Sequence, residues 1–403
     1  MSGLAARPLR IFMVAGEESG DALGGPLMRA LAQRAAEPIA FRGVGGVRMQ
    51  AAGLDSLFPM DDLTAIGFGE VIGKLPTILA RLRMALAAVL ADPPDLLLLI
   101  DAPDFTHRLA ARVRRRLPAL PIVKYVAPTV WAWRPGRARA MRGFVDHVLA
   151  LLPFEPKVMA ELGGPPTTYV GHPLLGALSR LRPDAGEAAR RHADPPRILV
   201  LPGSRRREIA RLSADFGAAL GRLAAAGTAF DLVLPTLPRL EADLYAATAA
   251  WPVRPRIVSD EAEKEAAFRT ARAALAASGT VTLELALAAV PLVAAYRLAG
   301  WEAAIGRRLL KGSSVILPNI ILGRNTVPEF LQERCTPANL AAALAPLVTD
   351  AAAREAQCAA FAELDRLMST GGIPAADRAA ETVLAVLADR RGRVARGHRA
   401  VLS

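Results

Sequence analysis

The feature that most constrains this chain is a recurring pair: a short apolar run that stops at a polar, glycine-bearing turn. RIFMVAG (10–16) leads into EESGD, DLLLLID (95–101) into APDF, RILVL (197–201) into PGSRRRE, and AALAAS (273–278) into GTVTLE. Runs this short that are apolar on both faces read as strands buried inside a parallel sheet. The longer amphipathic stretches between them, near 74–91 and 105–117, read as crossover helices. AFRGVGG (40–46) and PIVKYVAP (121–128) extend the first series; FDLVLP (230–235), RIVSD (256–260) and PLVAAY (291–296) extend a second. With 403 residues and roughly 150 residues per domain, the expected fold class is α/β: two Rossmann-like, doubly wound domains. The first spans 1–176, a Pro- and charge-rich linker 177–196, the second 197–365, and an Ala-rich helical tail 366–403, broken at STGGIP (369–374).

The composition supports buried cores, with 52% hydrophobic and 22% charged residues, which excludes a disordered chain. Cys335 and Cys358 lack the number for a disulfide framework and the spacing for a zinc site. The segment before the first strand has no long apolar stretch of a secretory signal. LLLLI (96–100) is too short to span a bilayer, which takes about 20 residues. A cytoplasmic location is expected. The net charge of +12 calls for an anionic partner. Residues 105–145 carry ten Lys or Arg and no Asp or Glu.

In doubly wound sheets ligands bind at the carboxyl ends of the strands, where the polar turns of this chain lie. In PGSRRRE, Ser204 and Arg205 open a helix with backbone amides and a forked guanidinium, the donors that a phosphate needs. A solvated basic helix is the alternative. Ser278, Gly279 and Thr280 form a second turn of this kind, and Glu284, one helical turn on, is placed to accept from ribose hydroxyls; a simple capping arrangement would use the same residue types. Asp101 ends an apolar strand, where a partly desolvated carboxylate suits a general base, although it could be only a turn residue. GEESGD (16–21) is acidic and lacks the Gly-Lys-Ser/Thr of a phosphate loop. Its Glu17 and Ser19 suit sugar hydroxyls, with Asp21 structural. GVGGVR (43–48) lacks the third glycine of a dinucleotide fingerprint. His172, in VGHP, could reach a cleft, although single histidines are commonly structural. No metal constellation stands out. In the stretch 63–91, Ile66, Phe68, Val71, Ile72 and Leu75 stand among basic residues, the composition of a membrane-contact segment or of a core-facing helix.

Taken together, VAGEESGD (14–21), GVGGVRMQAAG (43–53), IDAPDF (100–105), YVAPTVWAWRPGR (125–137), LLPFE (151–155), VGHPL (170–174), LPGSRRREI (201–209), ASGTVTLE (277–284) and LPNIILGR (317–324) resemble the lipid-A-disaccharide synthase family over nearly the whole chain. The resemblance implies a GT-B fold of two facing domains, with the last helix returning to the first. It implies an inverting transfer of 2,3-diacylglucosamine from UDP-2,3-diacylglucosamine to 2,3-diacylglucosamine 1-phosphate, with a new β-1,6 bond and UDP as leaving group. It further implies no cofactor or metal, and work at the cytoplasmic face of the inner membrane of a Gram-negative bacterium, against an anionic membrane surface. Asp101 is then the base. Ser204, Arg205 and the amides of 278–280 hold the diphosphate, Glu284 the ribose, and Asn319 the sugar or diphosphate. Glu17, Ser19 and His172 stand near the sugars. Glu18, Arg206 and Arg207 depart from the family's usual residues.

Other UDP-sugar GT-B enzymes, a peptidoglycan N-acetylglucosaminyltransferase or a UDP-N-acetylglucosamine epimerase, are the nearest alternatives. A nucleic-acid-binding protein would show a binding module and more than 5% aromatics, so no nucleic acid is expected. A nicotinamide-dependent oxidoreductase would need the missing glycine fingerprint. The sequence sets no oligomeric state.

Overall fold

A computed structural model describes residues 7–63, 68–297 and 314–401, without the side chains of 68–72 and 393–401. The chain divides into two compact units, one of residues 1–173 with 370–403, the other of residues 174–369.

The first unit is built on seven parallel strands: β1 (Leu9–Ala15), β2 (Ile39–Val44), β3 (Asp55–Ser56), β4 (Leu96–Ile100), β5 (Ile122–Tyr125), β6 (His147–Ala150) and β7 (Thr167–Tyr169). Their order across the sheet is β3-β2-β1-β4-β5-β6-β7. Every residue of β4 is buried, as a strand flanked by neighbours and covered on both faces must be. Alternate residues feed two cores. Leu97 and Leu99 join Phe12, Val14 and Leu109 on one face, while Leu96, Leu98 and Ile100 join Met13, Leu27 and Leu31 on the other.

The second face is completed from far along the chain. The helix Ala375–Val401 packs beside the helix Glu18–Arg34 and places Ala379, Ala380, Val383 and Leu387 in the same core. Each buried Val or Leu there contributes about 2 kcal/mol of apolar transfer. Arg34 pairs with Asp377 at 3.0 Å. The turn before this helix reverses through Gly371 (φ 67°) and Gly372 (φ 81°), a left-handed pair that favours glycine.

The second unit has six parallel strands: β8 (Arg197–Leu201), β9 (Asp231–Pro235), β10 (Arg256–Val258), β11 (Ala273–Ala277), β12 (Leu292–Tyr296) and β13 (Glu329–Leu331). They are ordered β10-β9-β8-β11-β12-β13. Helix Arg206–Ala225 covers one face with Leu212, Phe216 and Leu220.

The segment 177–196, expected as a linker, is instead part of the second unit. It forms the helices Leu178–Leu181 and Ala185–His192, the latter opened by an Asp184–Glu187 capping box. Arg191 donates to the carbonyls of Phe268, Arg269, Ala288 and Ala289. A guanidinium that supplies four main-chain carbonyls fastens the segment to the domain, whereas a linker would leave it solvated.

Candidate active site

In both sheets the winding reverses once, between β1 and β4 in the first and between β8 and β11 in the second. At such a point the crossovers leave in opposite directions and open a crevice beyond the carboxyl ends of the strands.

In the second unit that crevice is a cavity of about 930 Å³, and the terminal residues of five strands reach it: Leu201, Pro235, Ala277, Tyr296 and Leu331. Ser204, Arg205, Ser278, Gly279, Thr280 and Glu284 all line it. The helices Arg206–Ala225 and Thr280–Leu287 begin here, and neither has a side-chain cap. Their first amides and positive dipole ends are therefore available to an anion. Burial pushes the Glu284 carboxyl up from its ordinary value, with Glu261 adding to the shift and Lys264 opposing it.

Glu208, to which the sequence reading gave no role, organises the first of these turns. Its carboxylate accepts from the Ser204 amide at 3.0 Å and from the Arg205 guanidinium at 3.2 Å. Gly203 turns the chain at φ 128°, and a Cβ there would lie 2.5 Å from Glu208 Cβ. The signal was present in the sequence, since a glutamate in the first turn of a helix commonly holds the amides before it.

Asn319 is a correction. Its side chain is 2% exposed and does not line the cavity. Its Oδ1 accepts from the amides of Thr326 and Val327, and its Nδ2 donates to the Val327 carbonyl. The amide ties 326–327 to the helix Leu317–Leu322, which takes up Oδ1 and one of the two Nδ2 hydrogens.

In the first unit, Ser19 Oγ donates to Asp101 Oδ2 at 2.8 Å, which joins the turns after β1 and β4. A Cβ on Gly16 would lie 2.5 Å from Ala102 Cβ, so only glycine lets these turns approach so closely. Asp101 (φ 49°) and Ala102 (φ 41°) are consecutive left-handed residues. Val126 (φ 73°), at the end of β5, is left-handed as well, which is rare for a β-branched side chain. Strain of this kind gathers where the surrounding structure fixes a functional geometry. Asp101, Val126 and Lys124 line a small cavity of about 140 Å³.

Lys124 was read only as part of an apolar strand. It is 1% exposed, and its Nζ donates to the Asp101 carbonyl and lies 3.4 Å from Thr106 Oγ1. Burial pushes its ammonium down to about 7, held up by the carboxylates of Asp101 and Glu17. A single charged residue inside PIVKYVAP was the available signal.

Glu17 and Ser19 are exposed at the mouth of this turn. Asp21 is buried and accepts from the amides of Arg48 and Met49, both at 2.9 Å, which caps the helix Val47–Ala51. His172 follows the short strand β7, and burial pushes its imidazole down to about 4. Ile66 lies outside the described residues, as do the side chains of Phe68, Val71 and Ile72 in the helix Phe68–Ala91. Leu75 on that helix is 42% exposed, as is Met84. No described helix is long and apolar enough to cross a membrane.

Two switch-point sites on paired parallel sheets define a GT-B protein, and solved structures agree. UDP-GlcNAc 2-epimerase from Neisseria meningitidis bound to UDP-GlcNAc superposes with a TM-score of 0.62 at 12% identity, over 93% of this chain and 100% of that one. The calicheamicin glycosyltransferase CalG4 does so with 0.58 at 20%, over 95% and 99%. The family model for lipid-A-disaccharide synthetase matches residues 11–381. Lipid-A-disaccharide synthase of Bradyrhizobium diazoefficiens is 56% identical over 95% of this chain and 97% of its own length; that of Rhodospirillum centenum is 47% identical over 96% and 98%. The chain belongs to the lipid-A-disaccharide synthase family.

Proposed function

We propose that this enzyme transfers 2,3-diacylglucosamine from UDP-2,3-diacylglucosamine to the 6-hydroxyl of 2,3-diacylglucosamine 1-phosphate, forming the β-1,6 disaccharide 1-phosphate and UDP. The observation that carries this reading is the meeting of two uncapped helix starts, Arg205 and Glu284 around one 930 Å³ cavity, in a chain of this family.

The second unit holds the donor nucleotide. Ser204, Arg205, the Ser278 hydroxyl and the amides of Gly279 and Thr280 receive the diphosphate, since the Ser278 amide is held by the Ala295 carbonyl at 2.8 Å, and Glu284 accepts from the ribose. As the glycosidic bond breaks, charge builds on the diphosphate, and preorganised donors stabilise it there. The first unit supplies Asp101, which takes the proton of the acceptor hydroxyl while that oxygen attacks the anomeric carbon from the face opposite UDP. An α-linked donor thereby gives a β-linked product. Ser19 orients the Asp101 carboxylate, and Glu17 and His172 contact the sugars. The segment of Ile66, Phe68, Val71, Ile72 and Leu75 rests on the anionic inner-membrane surface, from the cytoplasmic side, so that acyl chains stay in lipid during transfer.

The test is direct. Purified protein is given both lipid substrates with EDTA present, and disaccharide and UDP are quantified. Stoichiometric formation of both is expected; release of UDP without disaccharide, or no turnover, overturns the reading.

A further inference from the structure

The Asp101–Ala102 turn needs an explanation. Two successive non-glycine residues at φ 49° and 41° are unfavourable relative to ordinary backbone. The turn persists because several hydrogen bonds hold it. The Asp101 amide donates to the Tyr125 carbonyl at 3.1 Å. Thr106 Oγ1 lies 2.9 Å from both the Asp101 and the Ala102 carbonyl oxygens. Lys124 Nζ donates to the Asp101 carbonyl from below.

Lys124 is the costly member of this set. An ammonium sealed from water at the carboxyl end of a parallel strand is strongly unfavourable unless it has partners. A leucine or valine would pack the same space, as at every neighbouring position of β4. The groups that face it are the carboxylates of Asp101 and Glu17; its charge also reaches the His107 imidazole, and Arg137 lines the same small cavity. The clamp therefore stands where it can fix both the backbone and the local potential of Asp101.

We propose that Lys124, with Thr106 at its side, is a positioning residue that clamps the Asp101 carbonyl, holds the left-handed turn and so aims the Asp101 carboxylate at the acceptor hydroxyl. This rests on the reading of Asp101 as the base. Lys124 touches no substrate; it acts through Asp101.

Three variants test it in the full-length protein with the two lipid substrates. Lys124→Met keeps the length of the side chain and removes the donor; kcat falls about 10- to 100-fold while the donor KM and the UDP Kd stay within twofold. Lys124→Ala is then assayed with ethylammonium, which the adjoining cavity can admit; kcat recovers at least fivefold, and equal ethanol gives no recovery. Thr106→Val, the mildest change, lowers kcat severalfold with KM unmoved, and it keeps the test decisive should either lysine variant fail to fold. Wild-type kcat in Lys124→Met or Thr106→Val overturns the clamp, as does a folded Lys124→Ala that ethylammonium leaves unchanged. Asp101→Asn runs in parallel. If it retains wild-type kcat, the base assignment fails; if it is inactive while Lys124→Met is fully active, only the clamp fails.

Discussion

Ser19 Oγ and Asp101 Oδ2 lie 2.8 Å apart, although 82 positions separate them in the chain. The contact exists because β1 and β4 are adjacent in the sheet while their helices leave on opposite sides. A hydroxyl and a carboxylate from separate crossovers thus meet where the sheet opens.

That contact sets the first expectation. Asp101→Asn lowers kcat by about 10²-fold or more, the usual contribution of a general base. Ser19→Ala lowers it by about 10-fold, through loss of one hydrogen bond to a charged group. Steady-state transfer assays read both. A Ser19→Ala loss as large as that of Asp101→Asn would contradict an orienting role.

The proposed nucleotide contacts divide into phosphate and ribose. Arg205→Ala weakens UDP by about 10-fold and leaves uridine unchanged. Glu284→Ala weakens UDP by a similar factor but leaves 2′,3′-dideoxy-UDP unchanged. Calorimetric titration of the four combinations checks both assignments, and equal losses for the two nucleotides in Glu284→Ala would remove the ribose role.

Asn319 behaves as a structural residue. Asn319→Ala strands the buried Val327 amide and costs about 2 kcal/mol of stability, seen as a lower thermal midpoint. In protein kept folded at low temperature, UDP affinity is unchanged. A folded variant that lost UDP binding would restore Asn319 to the ligand site.

Glu155 gives a pH signature. It is buried, accepts from the amides of Leu151 and Leu152, and burial pushes its carboxyl up to about 7 from 4.5. Its folded form binds the proton more tightly than the unfolded chain does. Stability is therefore fully present below pH 4.5 and is lost as pH rises from there through 7, by on the order of 3 kcal/mol. Glu155→Gln removes this slope. Urea midpoints at pH 5 and pH 8 for both proteins read the difference, and parallel curves would disprove it.

Membrane contact is read on vesicles. Phe68→Ser with Ile72→Ser lowers binding to anionic vesicles at least fivefold in co-sedimentation, since each apolar side chain contributes about 2 kcal/mol when buried. Leu75→Ser acts in the same direction. Binding equal to wild type would return the segment to an ordinary helix.

Much of this was legible in the sequence because the fold writes it there. A buried parallel strand must be apolar on both faces, and its end must be polar where a ligand sits, so 10–16, 95–101, 197–201 and 273–278 announce both strand and site. β3, β7 and β13 were not legible, being two or three residues long and only partly buried, too short for periodicity to register. The 177–196 segment looked like a linker because its polar residues face main-chain carbonyls, and nothing in composition reveals that Arg191 has four of them. Asn319 was misread for a related reason. An asparagine after a proline suits either a ligand or a local tie, and only its partners decide. Lys124 stands out as a charge in an apolar run, yet its partner, the Asp101 carbonyl, lies in the turn after another strand, which no local pattern reveals.

The helix Ala375–Val401 closes a core that began with β1, and the whole of the second unit is threaded between them. A ribosome therefore finishes the inserted unit, whose strands are contiguous in the chain, before it makes the piece that seals the first. Ala379, Ala380, Val383 and Leu387 join the core of Leu27, Met28 and Leu31 only after residues 174–369 have been made. The first unit is thus begun before the second and completed after it.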